Sequence, residues 1–315
     1  MLLVSILIPC RNAASTLRET LESALAQSGI NREIIVVDDG STDGSLELAK
    51  GYEVRGVQVI EGPRINASAA RNRALQASRG DYIQYLDADD LLGEDKIARQ
   101  IDVLRRNVNC VASARWGRFE KSPSEALFSN DDQLHDWKPV EWLLAQCGEL
   151  RMMHPAAWLV PRSLAEKAGP WDERITLNDD GEYFARVLKH ADAIRCAPSA
   201  TSYYRISPGV SLSRSRGPAA FRSLWLSLKL TAGTLLGLED SARTRKAVAD
   251  LYQRFIYDVY PSARAERREA ETLIAKMGGS DLPPDFGPRS KALAAAFGWR
   301  VALLLGRFSR KRRIL

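Results

Sequence analysis

A short apolar segment that ends in a group of carboxylates constrains the fold of this chain more than any other feature. Residues 82–86 (Tyr-Ile-Gln-Tyr-Leu) predict a buried strand, since aromatic and branched apolar side chains suit a buried pleated surface. Asp87, Asp89 and Asp90 follow directly. In open α/β sheets, ligands bind just outside the carboxyl ends of the strands. The segment therefore predicts a strand that delivers its acids to a ligand or a metal ion.

Two interpretations of these acids remain open. Three carboxylates this close repel one another, so a cation or hydrogen-bond donors must compensate them. Mg²⁺ and Mn²⁺ prefer oxygen ligands, and Mg²⁺ commonly takes one or two carboxylates plus the phosphate oxygens of a substrate. Alternatively, the acids only end the strand and cap the helix that begins near Gly93. A calcium loop of the EF-hand type is disfavoured, because Leu91 and Leu92 replace the acid or amide and the glycine that it requires.

Strand and helix patterns alternate ahead of this segment. Apolar runs at 4–9, 34–37 and 57–60 predict strands, and a helical pattern follows each of them. The second run ends in Asp38 and Asp39, so acids again stand at the carboxyl end of a strand. The alternation predicts an α/β fold with a parallel, doubly wound sheet flanked by helices.

The regular alternation ends near residue 110, and from about residue 218 the pattern is helical without strands. We therefore expect a domain at 1–217, with halves at 1–110 and 111–217, and a helical extension at 218–315. The cysteines are far apart and form no Cys-x-x-Cys pair, which argues against a zinc site and disulfides and fits a reducing cytosol. The first ten residues predict a strand rather than a signal peptide, and no apolar run is long enough to span a bilayer.

Several blocks in the first third of the chain closely resemble the family 2 glycosyltransferases of the GT-A fold. The blocks are Val4–Pro9 with Asn12, Glu33–Asp43, Ala70–Asn72 and Asp87–Asp90, in the family's order and spacing. The resemblance implies a Rossmann-like, mostly parallel GT-A sheet and an inverting hexosyltransferase. Such an enzyme moves a sugar from a nucleotide diphosphate donor, here expected to be a UDP-sugar, to an acceptor hydroxyl. Residues 1–110 would then bind the donor and residues 111–217 the acceptor.

The resemblance also implies donor-site roles for individual residues. The base and ribose contacts would be Asp38, Asp39, Pro9 and Glu33. Asp89 would bind the metal ion, Mn²⁺ or Mg²⁺, and Asp87 would lie nearer the ribose as a further ligand. The other donor-site residues that it implies are Asn12, Ser41, Asn66, Arg71, Asn72 and Ala88. For Arg71 and Asn72, exposed positions on a helix are the alternative interpretation.

A second block, Asn178–Phe184, is similar to the family's acidic pair at the start of a helix. The resemblance makes Asp180 the general base, with Asp179 as the reserve candidate, although an Asp at a helix start is also a common N-cap. His154 would contact the acceptor. Ser207 stands where many relatives carry a His, which leaves a third metal ligand unassigned. The Gln-x-x-Arg-Trp motif of processive relatives is missing from the sequence, so we expect one sugar per binding event.

The basic charge of the chain is concentrated in its tail. Eight Lys and Arg residues and no acids follow Asp285. These residues carry a charge of +8, so the chain up to Asp285 has a net charge of −2 out of the total of +6. This distribution argues against a nucleic-acid partner. The apolar residues between 292 and 308 predict an amphipathic helix that lies on an anionic membrane surface, beside a lipid-linked glycan acceptor. A helix docked on the protein core with a solvated basic end is the alternative.

Other function classes use similar residues. A sugar-phosphate nucleotidyltransferase also has metal-binding acids, but it carries a glycine-rich loop after its first strand, where this chain has Cys10–Ala14. A non-catalytic nucleotide-sugar binding module stays open and would release no free nucleotide diphosphate. Dehydrogenase and P-loop functions are excluded, since neither G-x-G-x-x-G nor a Walker A motif occurs. We expect a cytoplasmic transferase, peripheral on the cytoplasmic membrane face, in cell-surface polysaccharide or lipid-linked glycan synthesis.

Overall fold

The computed structural model describes residues 2–62, 64–107, 109–128, 131–206, 215–286 and 288–306. The strands in these ranges are β1 (Leu3–Cys10), β2 (Asn31–Asp38), β3 (Val57–Glu61), β4 (Tyr82–Tyr85), β5 (Leu91–Leu92), β6 (Cys110–Phe119), β7 (Leu127–Phe128), β8 (Val160–Pro161) and β9 (Ala193–Arg205). The α-helices are α1 (Leu17–Leu25), α2 (Ser45–Lys50), α3 (Ala67–Ala77), α4 (Lys96–Leu104), α5 (Pro139–Glu149), α6 (Arg162–Ala168), α7 (Asp179–Lys189), α8 (Pro218–Leu238), α9 (Ala242–Val259), α10 (Arg264–Lys276) and α11 (Pro288–Gly306).

The first sheet has the strand order β3-β2-β1-β4-β8, in which β1 to β4 run parallel and β8 runs antiparallel to β4. The chain moves from β1 outward to β3 and then returns to the other side of β1 for β4. The strand order therefore reverses at β1, and open α/β sheets bind ligands in the crevice at such a point. This topology confirms the predicted α/β fold with a mostly parallel sheet flanked by helices.

β1 lies in the centre of the sheet because its residues are apolar on both faces. Val4, Ile6, Leu7 and Ile8 are fully buried, as expected of a parallel strand that helices cover on both sides. The apolar face of α1 joins the same core. The packed centre gives the loops at the carboxyl ends of the strands a rigid base.

The second sheet has the order β5-β9-β6-β7. β6 and β9 pair in parallel, with a register shift between Ala114 and Arg115. The sequence pattern does not predict β9, whose residues are mixed and half-buried. β5 follows the acidic segment directly and pairs with β9, where Leu91 lies opposite Tyr203. The second sheet therefore anchors the far end of the acidic segment.

Chain contacts divide the molecule into compact units. The first consists of Met1–Pro139, Met153–Arg174 and Tyr183–Gly209, and the second of Val140–Met152, Ile175–Glu182 and Val210–Leu315. Both sheets belong to the first unit. The helices after residue 217 confirm the predicted helical extension, whereas the domain boundary at 217 and 218 stays a prediction.

Aromatic contacts join the helices of the second unit. Trp225 of α8 stacks on Phe255 of α9, with ring centroids 4.9 Å apart. Gly298 interrupts the helical geometry of α11 (φ 79°, ψ 158°), and beyond it Ala302 and Leu303 are buried.

No helix in the described ranges is both long enough and apolar enough to cross a bilayer. Ser207, Arg307, Phe308 and Arg310–Arg313, which carry predictions above, lie outside the described residues.

Candidate functional site

Polar loops follow β1 and β2 at the carboxyl edge of the first sheet. Cys10, the last residue of β1, lies opposite Asp38, the last residue of β2. The N–H of Asn12 donates to Ser41 Oγ at 2.9 Å, and Asn12 Oδ1 accepts from the N–H of Thr42 at 2.9 Å. Asn12 has a φ of 51°, a conformation that Asn tolerates better than most residues. Asn12 and Ser41 therefore brace the two loops against each other.

The paired acids at the end of β2 keep buried oxygens that accept no hydrogen bond from any described residue. Asp38 Oδ2 accepts from two N–H groups of the following turn, at 2.9 and 3.1 Å, whereas its Oδ1 has no such partner. Asp39 Oδ1 accepts from the N–H of Ile65 at 2.8 Å, and its buried Oδ2 lies 3.6 Å from Arg11 Nη1. Burial raises the pKa of Asp39. The two buried oxygens are suited to accept from N–H or hydroxyl groups of a ligand.

Glu33 does not line this pocket, and that prediction is wrong. Glu33 lies opposite Ser5 near the amino-terminal end of β2, so about 16 Å of strand separate it from Asp38 at ~3.3 Å per residue. Its Oε1 accepts from Ser5 Oγ at 2.6 Å and from the N–H of Gly80 at 3.0 Å. Glu33 thus connects β1, β2 and the start of β4 at the amino-terminal ends of these strands, away from the pocket.

The acidic segment is fixed to α1 through its backbone. The carbonyl of Ala88 accepts from Thr16 Oγ1 at 2.9 Å, and the carbonyl of Asp90 accepts from Thr20 Oγ1 at 2.9 Å.

Pro9 is the penultimate residue of β1 and so lies at the same carboxyl ends of the strands as Ala88. Pro9 and Ala88 can therefore shape the pocket only through backbone and apolar surface.

Arg71 pairs with the first acid of the segment. Its Nη2 lies 2.7 Å from Asp87 Oδ1, and its guanidinium packs 4.4 Å from the ring centroid of Trp171. Arg71 and Asn72 are 5% and 7% exposed, so the alternative of exposed helix positions is wrong for both. Burial of a cation against a carboxylate and an aromatic ring holds Asp87 in one orientation.

Asn66 and Asn72 hold the segment that carries Trp171. Asn72 Oδ1 accepts from the N–H of Trp171 at 2.7 Å, and its Nδ2 donates to the Trp171 carbonyl and to Glu173 Oε1, both at 2.9 Å. Asn66 caps α3 by accepting from the N–H of Ala69, and its Nδ2 donates to the Glu173 carbonyl at 2.8 Å. These amides position the ring that packs on Arg71.

The surroundings of Asp89 fit a metal ligand. Burial and the negative charges of Asp90 and Asp87 raise the pKa of Asp89 to about 7. A hard divalent cation bound to its carboxylate would relieve this repulsion. The described ranges contain no group of three or more His, Cys, Asp and Glu side chains that could hold a metal ion. Mg²⁺ commonly takes one or two protein carboxylates and completes its ligands with phosphate oxygens of a substrate.

Asp90, His154 and Ser202 form a buried hydrogen-bonded chain. Asp90 Oδ2 lies 2.9 Å from His154 Nδ1, and His154 Nε2 lies 2.9 Å from Ser202 Oγ. All three residues are at most 1% exposed. Burial lowers the pKa of His154 to about 3, so the ring is neutral at pH 7. The predicted acceptor contact of His154 is wrong, because the ring is buried and both of its nitrogens are engaged.

Arg205 is a further residue of the site, which the sequence motifs do not single out. Its N–H donates to Asp90 Oδ1 at 2.9 Å, and its Nε donates to the carbonyl of Asp89 at 2.8 Å. Its Nη2 lies 2.7 Å from Glu19 Oε2, and its guanidinium packs over the ring of Phe119. Arg205 thereby holds the acidic segment against the end of β9. Arg205 lies two residues before Ser207, where many relatives carry a His, and this proximity could have indicated it in the sequence.

Asp179 and Asp180 are the first residues of α7 and belong to the second unit. The helix follows Asn178, whose φ is 56°, and the N–H of Gly181 donates to Asp180 Oδ1 at 2.8 Å. Carboxylates in the first turn of a helix interact favourably with its dipole. A capping role and a catalytic role are both compatible with this placement, so the choice of Asp180 as the general base stays a prediction.

The chain resembles known proteins in sequence. Residues 5–169 match the family model described as Glycosyl transferase family 2. Over 191 residues the chain is 30% identical to the uncharacterized glycosyltransferase RT0329 of Rickettsia typhi, and the match covers 59% of each chain. Over 107 residues it is 36% identical to the putative teichuronic acid biosynthesis glycosyltransferase TuaG of Bacillus subtilis, covering 32% of this chain and 42% of TuaG. The matched region thus spans less than two thirds of these relatives.

The fold also resembles a solved structure. The crystal structure of S. aureus TarS 1-349 in complex with UDP-GlcNAc has a TM-score of 0.72 at 15% identity, and the match covers 99% of this chain and 93% of that one. At this identity the likeness concerns the fold. It extends over the helices that follow the first unit and confirms the predicted GT-A architecture with a helical extension.

Proposed function

Because the chain belongs to glycosyl transferase family 2, we propose that it is an inverting, non-processive glycosyltransferase. The donor is a nucleotide diphosphate sugar, with UDP as the expected nucleotide, and the acceptor is a hydroxyl of a glycan or lipid-linked glycan. The TarS structures with UDP and UDP-GlcNAc support the choice of donor. The name of the Bacillus relative supports a place in cell-surface polysaccharide synthesis.

The proposal depends most on one observation, the convergence of two acidic strand ends at the point where the strand order reverses. β2 and β4 flank β1, so the strand that ends at Asp38 and the strand that precedes Asp87 lie about 10 Å apart, given ~4.8 Å between neighbours. Buried oxygens of Asp38 and Asp39 are suited to the base and ribose of a nucleotide. Asp87 and Asp89 would then border the diphosphate. This spacing suits a ligand with a polar base at one end and a charged group at the other.

A divalent cation fits the second of these strand ends. Asp89 would be its first protein ligand and Asp87 a further one, with Mn²⁺ or Mg²⁺ as the expected ion. A bound cation would neutralise charge on the departing diphosphate. Arg71 holds the carboxylate of Asp87 and Arg205 holds the backbone of Asp89 in place, so both residues would present their carboxylates to the cation from a fixed segment.

The transfer step requires a proton acceptor, which we assign to the acidic pair at the start of α7. The acceptor oxygen attacks the anomeric carbon from the face opposite the diphosphate, and the bond between that carbon and the diphosphate oxygen breaks with its electron pair. Asp180 takes the proton of the acceptor hydroxyl as the new bond forms. Asp179 is the alternative base, because both acids open the same helix.

A screen of nucleotide sugars with Mn²⁺ tests the function. We expect release of free nucleotide diphosphate from one donor, and a β-linked product from an α-linked donor by anomeric NMR. Release of pyrophosphate would instead indicate a nucleotidyltransferase, and binding without turnover a binding module. Asp180→Asn should lower kcat by roughly 10²-fold with donor binding retained, the size expected for loss of a general base. Normal turnover in Asp180→Asn and loss in Asp179→Asn would assign the base to Asp179.

A membrane-bound acceptor belongs to the same proposal. Phe297, Val301 and Leu304 of α11 are exposed, while Ala302 and Leu303 are buried in the second unit. The core therefore covers one side of the helix and leaves these apolar residues to the solvent. The basic residues that follow in the sequence would add attraction to acidic lipids. Such contact would bring the enzyme close to a lipid-linked glycan.

A further inference from the structure

Helix α8, which lies beyond the residues that match the family model, holds the loop ahead of the acidic pair. We propose that Ser223 and Ser227 of α8 are positioning residues that orient Asp180 for proton transfer. This inference rests on the proposed function. The loop 175–178, the first turn of α7 and all of α8 belong to the second unit, so every contact in this arrangement lies within one unit.

Ser227 is fully buried and bonds Asn178 in two ways. Its Oγ donates to the carbonyl of Asn178 at 2.7 Å and accepts from Asn178 Nδ2 at 2.7 Å. Asn178 has a φ of 56°, a conformation that residues other than glycine keep only where their surroundings hold it. Asn178 is the last residue before α7, so these bonds fix the direction in which the helix begins.

Ser223 lies one helical turn earlier on α8 and is 6% exposed. Its Oγ accepts from the N–H of Thr176 at 2.7 Å and from the N–H of Leu177 at 3.2 Å. Buried backbone N–H groups need such partners, because an unpaired one is costly. The two serines therefore bond three consecutive residues of the loop that leads to Asp179.

The other side of the acidic pair is held as well. Gln146 Nε2 of α5 donates to the carbonyl of Gly181 at 3.2 Å. A Cβ on Gly181 would come within 2.5 Å of Asn178 Oδ1, so this turn is closely packed against the Asn178 side chain. The contacts on both sides of Asp179 and Asp180 thus hold the backbone of the pair in place.

A general base acts only within hydrogen-bond distance of the proton that it accepts. A mutation far from the reacting atoms that misplaces a catalytic group by 1 Å can lower the rate about 100-fold. Loss of one of several contacts should cost less, so we expect Ser227→Ala to lower kcat about tenfold. The affinity for UDP in the presence of Mn²⁺ should stay within twofold of the unchanged chain, since donor contacts are assigned to other residues.

The test compares Ser227→Ala with a control on the same helix. Thr231 lies one turn further along α8, is 2% exposed, and its hydroxyl has no hydrogen-bond partner among the described residues. Thr231→Val should therefore keep the full kcat. Rates of UDP release with acceptor are measured on full-length variants at a temperature at which each is folded by circular dichroism, and UDP binding is measured by calorimetry.

A double-mutant cycle with Asp180→Asn decides whether Ser227 acts through Asp180. If it does, Ser227→Ala adds no further loss in the Asp180→Asn background. A full tenfold loss in that background, or an unchanged kcat in Ser227→Ala alone, overturns the inference while the proposed function stands. Normal turnover in Asp180→Asn removes the proposed base, and the inference about Ser227 with it.

Discussion

At the scale of single residues, burial gives each acid after β4 a different environment. Asp87 pairs with Arg71, and Asp90 bonds His154 and the backbone of Arg205. Asp89 is half-buried between them, and the negative charges of both acids contribute to its raised pKa. Asp89 is therefore the carboxylate whose negative charge a bound cation would best compensate.

Removal of this carboxylate should weaken metal binding and turnover together. We expect Asp89→Asn, or chelation of the metal ion with EDTA, to lower kcat by about 10²-fold or more, because a cation on a leaving diphosphate is worth several kcal/mol. Binding of Mn²⁺ in the presence of UDP, followed by electron paramagnetic resonance, gives a second readout. Asp102→Asn, at an exposed acid of α4, is the control. Full activity after chelation would remove the metal from the proposal.

His154 should matter for stability. His154→Ala would remove the partners of Asp90 Oδ2 and Ser202 Oγ among the described residues, and an unsatisfied buried group costs about 1–3 kcal/mol. We therefore expect the free energy of unfolding in urea to fall by about 3 kcal/mol, the sum of two moderate losses. The exposed His135 is the matched control, and His135→Ala should leave the value unchanged. A raised KM for the acceptor at unchanged stability would instead restore the acceptor role of His154.

At the scale of elements, the site depends on how closely β4 approaches β1. Gly80 precedes β4, and a Cβ there would come within 2.5 Å of the backbone N of Ser5. Gly80→Ala should push the strands apart and lower the free energy of unfolding by about 1–3 kcal/mol, as overpacking does. Gly233 of α8 has nothing within 4 Å of such a Cβ, so Gly233→Ala should be neutral or stabilising by up to about 1 kcal/mol. Equal effects of the two substitutions on urea denaturation would contradict this account.

At the scale of the whole molecule, charge is distributed unevenly along the chain. The tail after Asp285 carries eight cations, and the rest has a net charge of −2. Lys and Arg near an anionic bilayer contribute about 1 kcal/mol each. The proposed binding to acidic membranes would therefore depend on the tail, and the exposed residues Phe297, Val301 and Leu304 would add apolar contact.

Sedimentation with acidic liposomes checks the role of the tail. The full chain should sediment with them, and a variant with Arg310, Lys311, Arg312 and Arg313 all changed to Gln should sediment far less, because about 1 kcal/mol per cation is lost. A chain that ends at Pro288 should behave like this variant, and neutral liposomes serve as the control. Equal sedimentation of all the proteins, or none, would leave the tail without a membrane role.

The motifs predicted where most candidate residues stand relative to the ends of strands and helices, because motifs report local geometry. A run such as Ile34–Val37 followed by Asp38 and Asp39 predicts an acidic strand end, and the parallel sheet that brings such ends together follows from the alternation of strands and helices. The prediction for Glu33 was wrong because a motif does not show whether a residue lies near the amino-terminal or the carboxyl-terminal end of its strand. β9 was missed because its mixed residues carry no clear period.

The sequence by itself determined the α/β class, the family and the segments that supply carboxylates, since each depends on residues close together in the chain. Tertiary structure alone decided what those residues do. It buried His154 between Asp90 and Ser202, brought Arg205 onto the acidic segment from 115 residues away, and set Ser227 against Asn178. Such contacts join distant segments, and hydrogen-bond partners and burial follow from packing, which no local pattern encodes.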